Sequence, residues 1–267
     1  ERFDVKFDLT AREKVRRADF IGRDLVVVLG GDGTLTSISH NIDADTPVIG
    51  VNSHPIEEDP AGSFGFYMDS NVQTFAEDIV TALKGEAIIN EVPRLQAIID
   101  TTSGNRFTTD PAMNDLLIAN THQYAPSKYH LRRGGKKCRQ QSSGIVFSTW
   151  LGQGAWLNHI LEKDTMNEMR KRVNNSDISN HYFVVSREIP HQQRIDEQWS
   201  WFDWTSESTV ITSDMHRGYV VPDGWDEVHF NRGASITVNL EAPKLCLLTF
   251  RKSIEEKLST LIKEDLV

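Results

Sequence analysis

Asp24-Leu25-Val26-Val27-Val28-Leu29-Gly30-Gly31-Asp32-Gly33-Thr34 is the segment from which the architecture follows. Its apolar run is short, unbroken and rich in β-branched residues, the texture of a strand buried on both faces of a parallel sheet. The run ends in glycines, Thr34–Ile42 has the composition of a helix, and Pro47-Val48-Ile49-Gly50-Val51 reads as a second strand. Strand, glycine turn, helix, strand is a βαβ unit, so the first third of the chain is expected to be α/β.

The glycines give the loop its chemistry. Glycine permits a turn with positive φ and brings backbone close to phosphate oxygens with no Cβ in the way. Successive N–H groups at a strand-to-helix turn then cradle an anion, helped by the helix N-terminus. Asp32 within such an anion site fits a group that accepts a proton from a hydroxyl during phosphoryl transfer. The Walker A lysine is missing, and the glycine spacing is not that of a Rossmann fingerprint. The plain alternative is a tight turn in which Asp32 caps a helix.

Outward from the loop, residues 11–19 read as a charged helix end before a turn at Gly22. Residues 72–84 place Val72, Phe75, Ile79, Val80 and Leu83 at helical spacing, with Gly85 set to end the helix. Beyond Pro93 the texture changes to short strands: Leu95–Asp100, Leu116–Ala119, Tyr182–Val185, Thr209–Thr212, Tyr219–Val221, Ser235–Val238 and Leu245–Phe250. Gly134-Gly135 between Tyr129–Arg133 and Lys136–Gln140 is a two-residue hairpin signal. Trp156–Arg172 is expected to be helical, as is Ser253–Leu266. The expected division is an α/β domain over 1–92, a β-rich, sandwich-like domain over 93–251, and a terminal helix over 252–267 that packs back on the first.

Bulk properties narrow the function. A net charge of -9 over 267 residues argues against a nucleic-acid binder, which needs a basic face. No stretch approaches the roughly 18 apolar residues of a membrane span. Cys138 and Cys246 lack metal-ligand spacing and suggest a reducing compartment, the cytoplasm or alternatively the mitochondrial matrix. The first residue is Glu1, so no targeting segment is judged from this end. The nine histidines form no HExxH pair, and no Gly-x-Ser-x-Gly elbow occurs, which sets aside zinc and serine-hydrolase chemistry.

Gly30-Gly31-Asp32-Gly33-Thr34, then Gly65-Phe66-Tyr67, Asn114-Asp115 and Ser143-Gly144-Ile145-Val146-Phe147-Ser148-Thr149, in that order, resemble the NAD kinases. Ser142-Ser143-Gly144 and Ser186-Arg187-Glu188 are most similar to the mitochondrial and plant NADH-kinase branch. The resemblance implies an α/β domain and a β-rich domain with the site between them. It also implies transfer of the γ-phosphoryl of ATP to the 2′-hydroxyl of the adenosine ribose of NAD(H), with Mg²⁺ carried on the ATP phosphates.

By the same resemblance Asp32 is the proton acceptor, and Gly31, Gly33 and Thr34 belong to the phosphate-contacting turn. Phe66 lies beside the dinucleotide, which Asn114 and Asp115 hold by its ribose. Ser143 falls in the shared segment, Thr149, Ala155 and Trp156 match the adenine-side pocket, and Asp214 matches an acidic position late in the β-rich domain. A homodimer is implied, and no dedicated protein metal site. Gly152-Gln153-Gly154-Ala155-Trp156 departs from the family between its glycine and its alanine, where a hydroxyl residue is usual and Gln153 follows Gly152 instead. Arg139 stands two residues earlier than the arginine that directly precedes Ser-Ser-Gly in the mitochondrial branch.

Two rival functions share the glycine pentad: a kinase of lipid alcohols, and a sensor that binds NAD(P) without turnover. Lys128, Arg132, Arg133, Lys136, Lys137 and Arg139 form a basic hairpin that either attracts phosphates or simply solvates a sheet edge. Trp199, Trp201 and Trp204 read as packing residues ahead of a base platform.

Overall fold

The computed structural model describes residues 3–172, 179–190 and 202–265. The chain divides into two units, Glu1–Asn90 with Cys246–Val267, and Glu91–Leu245.

In the first unit β1 (Val26–Gly30) leads into α1 (Asp32–Ser39), and β2 (Val48–Asn52) lies parallel to β1 in the register Val26↔Val48 through Gly30↔Asn52. Then come β3 (Ser70–Asn71), α2 (Phe75–Leu83) and β4 (Ile88–Val92). The sheet order is β1-β2-β17-β4, where β17 is Leu245–Thr249, and β3 also pairs with β2. Leu245–Phe250 reads in the sequence as one more strand of the β-rich part. It instead runs parallel to β2, with Leu247 opposite Val48. A short apolar strand carries no mark of the sheet that recruits it. The terminal helix α5 (Ile254–Asp265) belongs to the same unit: the Ile254 N–H donates to Asn90 Oδ1 at 2.9 Å, and Lys257 pairs with Asp69 at 2.8 Å.

Three local expectations change. β2 is buried along its whole length, but β1 is an edge strand with only one face covered: Val28 is 2% exposed, Leu29 56%. Residues 11–19 form no α-helix but two 3-10 turns, Arg12–Lys14 and Arg17–Phe20, separated by the extended Arg16, whose N–H donates to Asp19 Oδ2. Val72 precedes α2 and is exposed, because Asn71 Oδ1 accepts the N–H groups of Gln73 and Thr74 and holds that stretch as a turn.

The second unit is a sandwich of two six-stranded sheets. One has the order β12-β11-β10-β7-β14-β15, from Phe202–Thr205, Tyr182–Ser186, Ile145–Thr149, Asp115–Asn120, Arg217–Pro222 and Val228–Asn231. The other is β6-β5-β16-β13-β8-β9, from Arg106–Thr108, Gln96–Asp100, Ser235–Asn239, Thr209–Ser213, Ser127–Arg133 and Lys136–Ser142. Inward side chains of both sheets, among them Leu116, Phe147, Val184, Leu131, Ile211 and Ile236, build one core. At the β8–β9 turn Gly134 and Gly135 take φ +53 and +76, the pair of positive angles that a two-residue hairpin needs. The expected helix over Trp156–Arg172 is broken into α3 (Leu157–Ile160) and α4 (Lys163–Arg172), because Leu161 is extended. Trp199 and Trp201 lie outside the described residues. Trp204 packs on Phe183, with ring centroids 4.3 Å apart.

Candidate active site

The glycine loop works differently from its expected geometry. None of Gly30, Gly31 and Gly33 has a positive φ. Gly31 is extended (φ -114, ψ -175) and caps α1 without a side chain, so Asp32 is the first helical residue and not the cap. What Gly31 provides is room, since a Cβ there would stand 2.5 Å from Ser63 Cβ. Ser63 uses that space to reach Asp32 twice. Its Oγ accepts the Asp32 N–H at 3.1 Å and donates to Asp32 Oδ2 at 3.2 Å.

Both oxygens of Asp32 are engaged. The Phe66 N–H donates to Oδ2 at 3.0 Å and the Tyr67 N–H to Oδ1 at 2.8 Å. These donors fix the direction of the carboxylate, leaving Oδ1 a second lone pair for an incoming hydroxyl. The strip that carries these donors is itself tied down. Asn52 Nδ2 donates to the Ser63 carbonyl, and Gly65 takes φ +71 where a Cβ would meet Asn52 Nδ2 at 2.5 Å. Lys257 Nζ donates to the Phe66 carbonyl at 3.1 Å. Asp32, Gly31, Phe66 and the start of α1, with Gly33 and Thr34, are thus one assembly within the first unit. Ser63 is the member that sequence reasoning passed over, a lone serine with no motif to mark it.

In the second unit Asn114 and Asp115 sit where β7 begins. The Thr149 N–H donates to the Asn114 carbonyl at 2.9 Å, and the Thr149 hydroxyl donates to the Met113 carbonyl at 2.6 Å. Thr149 is wholly buried and props this turn from inside. The 3-10 turn Leu151–Gly154 follows, and a Cβ on Gly152 would lie 2.4 Å from the Asn114 carbonyl oxygen. Gln153, the departure from the family pattern, is fully buried. Its Nε2 donates to the Trp150 carbonyl and its Oε1 accepts from Arg170 Nε at 2.8 Å. The substitution therefore stands behind the turn and leaves its outer surface alone.

Asp115 is buried, and burial first, then the charge of Asp223, pushes its pKa from 3.8 up to about 7. Asp223 follows β14, and its carboxylate accepts the N–H groups of Met113, Asn114 and Asp115. No motif in the sequence singles out Asp223 for this contact.

The remaining expected residues form other groupings. The Arg187 guanidinium lies 5.0 Å over the Trp156 ring, and the adjacent Glu188 accepts from the Ser143 hydroxyl. Ala155 links the Leu151–Gly154 turn to Trp156. Asp214 faces His130 and Arg139 of the basic hairpin, each at 3.4 Å. The structure does not bring Asp214 to the Asn114–Asp115 turn.

Comparison with known proteins matches residues 5–87 to the ATP-NAD kinase N-terminal domain family. The chain is 23% identical over 250 residues to an NAD kinase of Thermoplasma volcanium, spanning 92% of this chain and 81% of that protein. It is 37% identical over 82 residues to an NADH kinase of Arabidopsis thaliana, a stretch covering 27% of this chain and 26% of that one. Among solved structures, yeast NADH kinase complexed with NADH shares the fold, with a TM-score of 0.73 at 18% identity, over 94% of this chain and 68% of that chain.

Proposed function

We propose that this chain, whose residues 5–87 match the ATP-NAD kinase N-terminal domain family, transfers the γ-phosphoryl group of ATP to the 2′-hydroxyl of the adenosine ribose of NAD(H). The observation that carries the reading is the held carboxylate of Asp32. It sits at the head of α1, directly after the β1–glycine turn, with Phe66 and Tyr67 N–H groups fixing both oxygens.

A ribose hydroxyl is a weak nucleophile, so alignment and charge neutralisation supply most of the catalysis. Asp32 Oδ1 accepts the hydroxyl proton as the ribose oxygen bonds to the γ-phosphorus, and the bond from that phosphorus to the β-γ bridging oxygen breaks, releasing ADP. Gly31, Gly33 and Thr34 present backbone at the helix N-terminus to the phosphates. Mg²⁺ enters as part of the donor, on the ATP phosphates, and requires few ligands from the protein. Asn114 and Asp115 hold the ribose hydroxyls, and Phe66 lies against the dinucleotide. Yeast NADH kinase, with NADH bound, supports a reduced as well as an oxidised acceptor. A homodimer in the cytoplasm or the mitochondrial matrix completes the reading, with light scattering to test the assembly.

Phosphorylation assays pairing ATP or polyphosphate with NAD, NADH or a lipid alcohol test the proposal. Asp32→Asn should lower kcat by roughly 10³-fold with NAD binding kept within about threefold, since the lost proton acceptor acts mainly in the transition state. Turnover of the lipid alcohol alone, or tight NADP binding with no turnover by the wild type, defeats it.

A further inference from the structure

We propose that Asp223 is a positioning residue for dinucleotide binding, its carboxylate fixing the Met113–Asp115 turn that presents Asn114 and Asp115. This inference rests on the role given to that pair under the proposed function.

The contacts are unusually complete for one side chain. Asp223 Oδ2 accepts the Met113 N–H at 2.7 Å, and Oδ1 accepts those of Asn114 at 2.8 Å and Asp115 at 3.0 Å. The Asp223 N–H in turn donates to the Asp115 carbonyl at 2.8 Å. Four hydrogen bonds thus clamp three consecutive residues from the far end of β14. To make them Asp223 takes φ +47, in the left-handed region that disfavours side chains, with Asp and Asn among the few that enter it. Only a carboxylate offers acceptors on both oxygens. An amide would turn an NH₂ group toward one of these N–H donors.

Asp223 also acts through its charge. Asp115 stands between β14 and β10, and β10 places the uncharged Ser148 opposite it. Asp223, in the turn after β14, is the charged neighbour that adds to burial in raising the Asp115 carboxyl toward neutral pH. Ribose hydroxyls bind best to an ionised Asp115, so NAD binding should strengthen as pH rises through about 7.

The test compares full-length wild type with Asp223→Asn, Asp223→Gly and Asp115→Asn. KM for NAD, KM for ATP and kcat are measured from pH 5.5 to 9, with thermal melts of each protein. Asn and Gly both accept the left-handed backbone, so either variant retains the backbone conformation at position 223 and loses only the carboxylate's contacts and charge. The proposal expects Asp223→Asn to raise KM for NAD by about tenfold, as loss of a charge-assisted hydrogen bond implies. It expects KM for ATP within about twofold, and the pH midpoint of NAD binding lowered by roughly one unit, because one neighbouring charge has gone. A wild-type pH midpoint and KM for NAD in both Asp223 variants, with Asp115→Asn still impaired, overturns the proposal alone. Asp115→Asn with wild-type NAD binding overturns the reading beneath it. If neither Asp223 variant folds, the residue is a general support of the sandwich and the proposal fails.

Discussion

At Asp115 a carboxyl group is buried at the start of β7 beside a second carboxylate, and its pKa rises from 3.8 to about 7, first through burial and then through Asp223. The folded chain therefore favours the protonated form more than the unfolded chain does. That stabilisation is complete below about pH 4 and is lost as pH rises through about 7. Asp115→Asn, neutral at every pH, should match the wild type near pH 4 and exceed its stability increasingly toward pH 8, by up to roughly 4 kcal/mol. Urea midpoints at pH 5 and pH 8 check this, and a difference independent of pH contradicts it. Asp32 is the contrasting residue. Amide N–H groups of Phe66 and Tyr67 hold its carboxylate from both oxygens and fix its aim.

At the scale of elements, turns carry the candidate site and strands carry the turns. β10 ends in Thr149, whose N–H and hydroxyl lock the Met113–Asn114 backbone, and the 3-10 turn after it closes on the same carbonyl. Gly152 permits that approach, with 2.4 Å between its would-be Cβ and the Asn114 oxygen. Gly152→Ala should therefore push the turn off Asn114, lowering stability by about 1–3 kcal/mol, the usual cost of overpacking, and raising KM for NAD while KM for ATP changes little. Denaturant melts and initial rates measure both effects. An alanine variant with unchanged melts and NAD kinetics shows that the turn is free to relax. In the first unit the corresponding element is the strip 63–67, held by Asn52, Lys257 and its own bonds to Asp32.

Across the whole molecule, the two units differ in how much chain each needs. The sandwich is contained within Glu91–Leu245, whereas the parallel sheet needs β17 and α5 from the far end of the sequence. A fragment spanning 91–245 should fold alone with cooperative melting and dispersed amide resonances. A fragment spanning 1–90, without β17 beside β2, should not. Cooperative unfolding of the 1–90 fragment contradicts this division.

The amino-acid order alone determined the βαβ start, the glycine pentad with Asp32, the Gly134-Gly135 hairpin and most short strands of the sandwich. Each is a local matter of periodicity, turn chemistry or motif, settled within about ten residues of chain. Tertiary structure decided the rest: that β17 joins the parallel sheet, that β1 is half exposed, that Gly31 serves Ser63, that Gln153 faces inward, and that Asp223 clamps Asn114 and Asp115. Several of those outcomes depend on groups more than 30 residues apart meeting within about 3 Å, as Asp32 meets Ser63 and Asp115 meets Asp223. Sequence spacing carries no record of such contacts, because they follow from which surfaces the folded chain buries together.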